Sequence, residues 1–134
     1  MNKIKYIERL TNLFNCFANV YVHKECVQEI LELTNRTGME SRFLKKLKEY
    51  LVRLKNDGPN AIGQNGLENL GGNDCANMYS MHFESSNYNL RIIFSITDDG
   101  TLLLHTFYEK SGKKVTEYSS HLPVAQKRLQ QMTF

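Results

Sequence analysis

The sequence predicts an α+β fold, on three observations. Apolar residues recur at helical spacing in the first half of the chain. They run in short blocks of β-branched and aromatic residues in the second half. One long turn-rich stretch, Asn56 to Asp74, separates the two and holds five of the eight glycines and one of the two prolines. A chain of 134 residues is one domain's worth, so residues 1–134 are read as a single domain.

In chain order, Phe14 to Val22 is rich in aromatic and branched residues and predicts a first strand. From about His23 to Thr34, Val27, Ile30 and Leu31 recur at helical spacing. From about Glu40 to Lys55 the pattern is stronger, because Phe43, Leu44, Leu47, Tyr50, Leu51 and Leu54 share one face. Ser41 or a neighbour can cap that helix, and Asp57-Gly58-Pro59 stops it. After the turn-rich stretch, Asn77 to Glu84 predicts a strand with Met78, Ser80 and His82 on one side and Tyr79, Met81 and Phe83 on the other. Asn89 to Thr97 and Leu102 to Phe107 flank Asp98-Asp99-Gly100, a tight-turn signal, and predict an antiparallel hairpin. Pro123 suits a first helical turn, and Val124, Ala125, Leu129 and Met132 fit a short amphipathic helix after it. The expected architecture is a small antiparallel sheet, an N-terminal strand plus a three-stranded C-terminal meander, packed against two N-terminal helices and followed by a short C-terminal helix.

Composition narrows the function classes. With 41% apolar and 23% charged residues the chain is ordinary globular material. No apolar run is long enough for a membrane span. The first residues carry Glu8, Arg9 and Asn12 where a signal peptide needs an apolar core, so the expected location is cytoplasmic. Cys16, Cys26 and Cys75 are far apart, odd in number and without CxxC spacing, so they are read as plain thiols. The net charge of +3 is unevenly spread. Residues 1–57 hold 11 Lys/Arg against 7 Asp/Glu, residues 58–85 hold none against 3, and residues 86–134 hold 6 against 4. Basic ends around an acidic middle are compatible with a polyanion partner.

Several chemistries find no support. His23, His82, His105 and His121 include no i,i+4 pair and no HExxH motif, and GxxxxGK[ST] and GxSxG are absent. What remains is a pattern of basic residues. Arg91 lies inside the apolar run Leu90-Arg91-Ile92-Ile93-Phe94, where a charge is costly unless paired or facing a groove. It can point off a half-exposed sheet, pair with an acid such as Glu84, or hold a ligand phosphate from a rigid strand. His82, on the neighbouring strand, can join it, and Lys110, Lys113 and Lys114 follow the last strand. Arg42, Lys45, Lys46 and Arg53 line the outer face of the second helix, either as a solvated face or as a strip for phosphates.

The pieces Gly66-Leu67-Glu68-Asn69-Leu70-Gly71-Gly72, Met78-Tyr79-Ser80-Met81-His82-Phe83 and Asn89-Leu90-Arg91-Ile92-Ile93-Phe94 stand in order. They are followed by Asp99-Gly100-Thr101-Leu102-Leu103-Leu104-His105-Thr106-Phe107, Glu109-Lys110-Ser111-Gly112-Lys113 and Ala125-Gln126-Lys127-Arg128-Leu129. Together they resemble the RelE/ParE superfamily of toxins, above all its phage-derived HigB-like branch. Glu109 stands where that branch often has Lys, and Val115 replaces a Pro. The resemblance implies the toxin of a bacterial type II toxin–antitoxin system, a metal-independent and cofactor-free endoribonuclease that cuts messenger RNA, usually on the ribosome. It implies a cognate helix-turn-helix, HigA-like antitoxin as partner. Arg91, Lys110, Lys113 and His82 carry over as catalytic residues, with Tyr108 and Tyr118 as spare candidates. Arg42, Lys45, Lys46, Arg53 and Lys114 become contacts to RNA and the ribosome. The related ParE branch acts instead on DNA gyrase without an enzymatic step, and an inactive phage-derived RNA-binding relic is the third expectation.

Overall fold

The computed structural model describes residues 1–35, 37–70, 77–85, 88–109 and 114–133, with the backbone alone at 114–117. The elements run α1 (Lys3–Asn15), β1 (Val20–Val22), α2 (Lys24–Thr34), α3 (Glu40–Asp57), a 3₁₀ turn (Gly58–Ala61), β2 (Leu67–Asn69), β3 (Met78–Glu84), β4 (Asn89–Thr97), β5 (Gly100–Tyr108) and α4 (Lys114–Gln131). The fold is α+β. Five strands form one sheet in the order β1-β5-β4-β3-β2.

The front of the chain departs from expectation. Residues 14–22 are not one strand. Phe14 and Asn15 end α1, a helix capped by the Asn2 side chain, which accepts from the Lys5 N–H at 2.8 Å. Tyr6 and Leu10 lie one turn apart and are buried, and Leu13 and Phe14 pack beside them. Phe17 belongs to the same core, and only Val20–Val22 is left to pair. That strand lies parallel to Thr101–Leu103 of β5, so the sheet is mixed rather than antiparallel. Gly100 permits the close approach. A Cβ there would lie 2.1 Å from the Asn19 carbonyl oxygen, which accepts from the Thr101 N–H at 2.9 Å.

α3 begins without a side-chain cap at Met39, so Ser41 does not play that role, and it ends where the Gly58 N–H donates to the Leu54 carbonyl. The turn-rich stretch contains the fifth strand, β2, antiparallel to β3. β3 and β4 pair in full register, with His82 opposite Arg91 and Glu84 opposite Asn89. β4 and β5 slip by one residue. Ile93 opposes His105 and Phe94 opposes Leu103, leaving Leu104 as a bulge. Because strand side chains alternate, that one extra residue turns His105 to the opposite face from Leu103's and sends Thr106 toward Cys26, 3.3 Å away.

Two cores cover the two faces. The larger one packs α1, α2 and α3 on Leu67, Met81, Phe83, Leu90, Ile92, Phe94 and Leu103. Its centre is aromatic. Phe43 and Tyr50 meet Phe83 at centroid distances of 4.6 and 5.2 Å. The smaller core packs α4 on Met78, Ile93, Leu102, Leu104 and Phe107, through Tyr118 and Ala125 with Leu122, Leu129 and Met132 beside them. α4 is therefore no short helix starting at Pro123. It runs through that proline, which lies in its interior. Among the described residues no helix is long and apolar enough to cross a membrane.

Candidate active site

Strand alternation gives the α4 face of the sheet a polar end. Ser80 and His82 on β3, Asn89 and Arg91 on β4 and Glu68 on β2 converge there, and Glu109 follows directly after β5. Arg91 is only 3% exposed. Its Nε donates to Glu109 Oε2 at 2.7 Å, and its Nη1 lies 3.3 Å from Glu68 Oε1. That second approach is an electrostatic contact only, since Nη1 makes no hydrogen bond. Burial opposes the charge on Arg91, but the Glu109 hydrogen bond and the fields of Tyr118, Glu68 and Glu109 outweigh it and strengthen the guanidinium's hold on its proton.

The expected roles of Arg91 divide accordingly. It does not point off a half-exposed sheet, and its partner is not Glu84, which is exposed at the strand end. It is an internal cation neutralised by Glu109 and Glu68. A guanidinium so enclosed is a poor first contact for a phosphate, because reaching one means giving up a carboxylate.

His82 is the more available group, with its side chain 21% exposed. Its Nε2 is hydrogen-bonded to Asn89 Oδ1 and lies 3.8 Å from Glu109 Oε2. The Asn89 Nδ2 faces the Glu109 carbonyl at 3.4 Å. A carbonyl only accepts, so the amide nitrogen must face it and the amide oxygen must face His82. Nε2 therefore carries the proton and Nδ1 the lone pair. Among the described residues, no hydrogen bond engages Nδ1. From the other face of the sheet, the Tyr50 hydroxyl donates to the His82 carbonyl. Gly66 makes room for it. A Cβ at Gly66 would stand 2.1 Å from the Tyr50 hydroxyl, and the Gly66 carbonyl accepts from the His82 N–H.

Of the spare tyrosines, Tyr118 belongs to this cluster and donates to Ser80 Oγ at 3.0 Å, while Tyr108 is exposed at the end of β5, opposite Leu90. Burial pushes the Tyr118 phenol upward, so it stays protonated and a donor. Lys110 and Lys113 lie outside the described residues. Lys114 is the first residue of α4, and its side chain is likewise outside them.

The basic strip of α3 lies elsewhere. α3 packs on the face opposite Arg91, so Arg42, Lys45, Lys46 and Arg53 cannot grip the same phosphate as Arg91. Arg42 and Lys45 are exposed. Lys46 and Arg53 bracket the Tyr50 ring at 4.9 and 5.6 Å from its centroid, and Arg53 also donates to the Asn65 carbonyl at 3.3 Å.

Asn89 and Glu68 are not singled out by the sequence, and Glu109 stands out there only as a departure from the family pattern. Asn89 could have been, since it lies two residues from Arg91 on the same strand face. Among the described residues, no three His, Cys, Asp or Glu side chains cluster as a metal site. The chain matches no family model, no curated protein and no solved structure.

Proposed function

We propose that the chain is a metal-independent endoribonuclease that cleaves messenger RNA, the toxin half of a toxin–antitoxin pair of the RelE/HigB kind. The observation that carries this reading is the His82 imidazole, half-buried, its Nε2 proton held by Asn89 and its Nδ1 lone pair without a donor among the described residues. Such a nitrogen can take the proton of a ribose 2′-OH. The oxygen then bonds to the adjacent phosphorus, the bond to the 5′-oxygen breaks, that oxygen takes a proton from water, and the products are a 2′,3′-cyclic phosphate and a 5′-hydroxyl. DNA lacks the attacking hydroxyl, so RNA is the substrate. General-base help of this kind is worth about 10² to 10⁴ in rate.

Arg91 serves in this reading as a positioning residue. It anchors Glu109, whose carbonyl orients Asn89, whose amide fixes the His82 tautomer. The charge that develops on the phosphate falls to Lys110 and Lys113, roles that come from the family resemblance. The exposed cations of α3 contact ribosomal RNA with a strong salt dependence. The helix-turn-helix antitoxin silences the protein by covering this positive surface.

The test is cleavage of a defined message by the purified protein with ribosomes, with the product ends mapped. His82→Gln keeps a partner for Asn89 but cannot act as a base at neutral pH, and cleavage is expected to fall about 10²- to 10⁴-fold. Undiminished cleavage by the folded variant would overturn the assignment. A second reading rests on the neutralised Arg91, which favours a non-enzymatic binder that acts on DNA gyrase. Intact message together with blocked supercoiling selects it.

A further inference from the structure

A second cluster lies on the same sheet face as Arg91, at the opposite side of β5, and the mechanism above makes no use of it. Glu29 of α2 is its hub. Its Oε1 accepts from the Thr106 N–H at 3.0 Å and from Arg128 Nη1 at 2.7 Å, and its Oε2 accepts from Arg128 Nη2 at 3.0 Å. Oε2 also lies 2.9 Å from His105 Nδ1. The other nitrogen of His105, Nε2, lies 2.7 Å from His121 Nδ1. Arg128 completes the frame with Nη1 on the Leu104 carbonyl at 2.9 Å and Nε 3.3 Å from Glu25 Oε2. His121 stacks on Phe107 at 3.9 Å.

Proton bookkeeping fixes what this arrangement tolerates. Glu29 only accepts, so His105 Nδ1 carries a proton toward it. Arg128 only donates, so its 3.3 Å approach to the same Nδ1 is a contact and not a second hydrogen bond. The contact between His105 Nε2 and His121 Nδ1 then has room for one hydrogen. The closed pair can hold one extra proton, on the far nitrogen of His121, but not two. A second would set two N–H groups against each other at 2.7 Å, beside the Arg128 cation. Among the described residues, Glu29 from α2 and Arg128 from α4 face the pair, and Glu25 meets Arg128 from behind. β4 sets apolar Ile93 opposite His105, and Tyr118 meets Phe107 edge-on.

These contacts add a polar fastening to the apolar packing of α4 on the sheet. Tyr118, His121, Ala125 and Arg128 recur along one helix face, and Pro123 falls between the two clamp residues. Pro123 has no N–H to give the helix ladder, so the two halves of α4 are joined by a weakened turn and rely on the clamp. Beneath α4 lie Ser80, Arg91 and Ser95.

We infer that α4 is a proton-released cover: the Glu29–His105–His121–Arg128 clamp holds it on the sheet at neutral pH, and double protonation of the histidine pair frees it in weak acid. The sign follows from the count. The open state binds two protons on its imidazoles and the closed state one, so falling pH favours the open state. Histidine side chains change charge between about pH 5 and 8, and a difference of one bound proton is worth up to about tenfold in population per pH unit. Glu29 does not contribute in that window. Burial alone would raise its carboxyl, but the bonds from His105, Arg128 and the Thr106 N–H hold it down at about 2.

Hydrogen exchange of the full chain, read by mass spectrometry and corrected for intrinsic rates, tests this. Peptides of α4 are compared at about pH 7.5 and about pH 5.5, within the range where histidine changes charge. α4 is expected to exchange about tenfold faster in acid while α3 stays protected. His121→Asn keeps a hydrogen-bonding group near Nδ1 but cannot be protonated, and should abolish the response. His23→Gln removes the other histidine that meets α4, at Gln131, and should leave the response intact. Unchanged α4 exchange in the wild type overturns the inference. So does a response that survives His121→Asn or disappears in His23→Gln. Should His121→Asn fail to fold, ring-nitrogen NMR of the wild type decides. Two histidines that titrate independently and fully without any change in α4 would also sink it.

Discussion

The two charged clusters under α4 are built from the same parts and do opposite things with them. Each sets an arginine against a glutamate from another element, with a histidine alongside. In the first, Arg91 and Glu109 are 3% and 5% exposed, and His82 keeps one ring nitrogen unengaged by the described residues. In the second, the Arg128 and Glu29 side chains are 11% and 21% exposed, and His105 engages both ring nitrogens, one on Glu29 and one on His121. A histidine beside an ion pair is a base only when a nitrogen is left over. Where both are tied it becomes a fastening whose strength depends on pH. The same distinction separates the proposed chemistry at His82 from the proposed clamp at His105.

The largest expected effect tests the depth of the first cluster. Arg91→Ala strands the Glu109 carboxylate where water hardly reaches it, and removing one partner of a buried pair costs about 3–5 kcal/mol. Urea denaturation should show that loss. It also means that an alanine at this position confounds catalysis with folding, so His82 is the proper probe of activity. The double variant Arg91→Ala with Glu109→Gln should recover much of the loss, since a neutral amide leaves no stranded charge. No recovery would mean that the pair matters through packing instead.

The second cluster should be less sensitive, although Arg128 makes more contacts. Glu29 and Glu25 retain access to water, so Arg128→Ala leaves charges that solvent can reach. Charge-assisted hydrogen bonds of this kind contribute about 1.5–3 kcal/mol, and a loss near 2 is expected by the same denaturation measurement. If Arg128→Ala proves costlier than Arg91→Ala, the ranking by burial is wrong.

How much of this was legible depends on where each residue sits relative to local pattern. The β4–β5 hairpin was, because Asp98-Asp99-Gly100 between apolar runs dictates its turn, and the alternation in β3 correctly grouped Ser80 and His82. α1 was hidden because its aromatic end, Phe14, runs into Phe17, Val20 and Val22 and imitates one strand. α4 was shortened because proline is common at helix starts and rare inside helices, and tertiary contacts here carry the helix through it. Glu68 was out of reach because its strand is three residues long inside a glycine-rich stretch. His105 was out of reach for a sharper reason. A strict two-residue period puts it on the face of Leu103, and only the Leu104 bulge turns it toward His121.

The smallest predicted effect marks the border between the clusters. Among the described side chains of α4, Tyr118 reaches the Arg91 side, through a hydrogen bond from its hydroxyl to Ser80 Oγ. Its ring meets Phe107 edge-on at 5.7 Å, a contact that phenylalanine would keep. Tyr118→Phe should therefore cost only about 1 kcal/mol in urea denaturation, the net value of one neutral hydrogen bond. It should leave the acid response of α4 unchanged, because the phenol is neither part of the histidine pair nor titratable in weak acid, burial having raised its pKa. A loss as large as that of Arg91→Ala would place Tyr118 among the supports of the buried guanidinium. α4 would then be fastened mainly through the first cluster, and the histidine clamp would be its secondary hold.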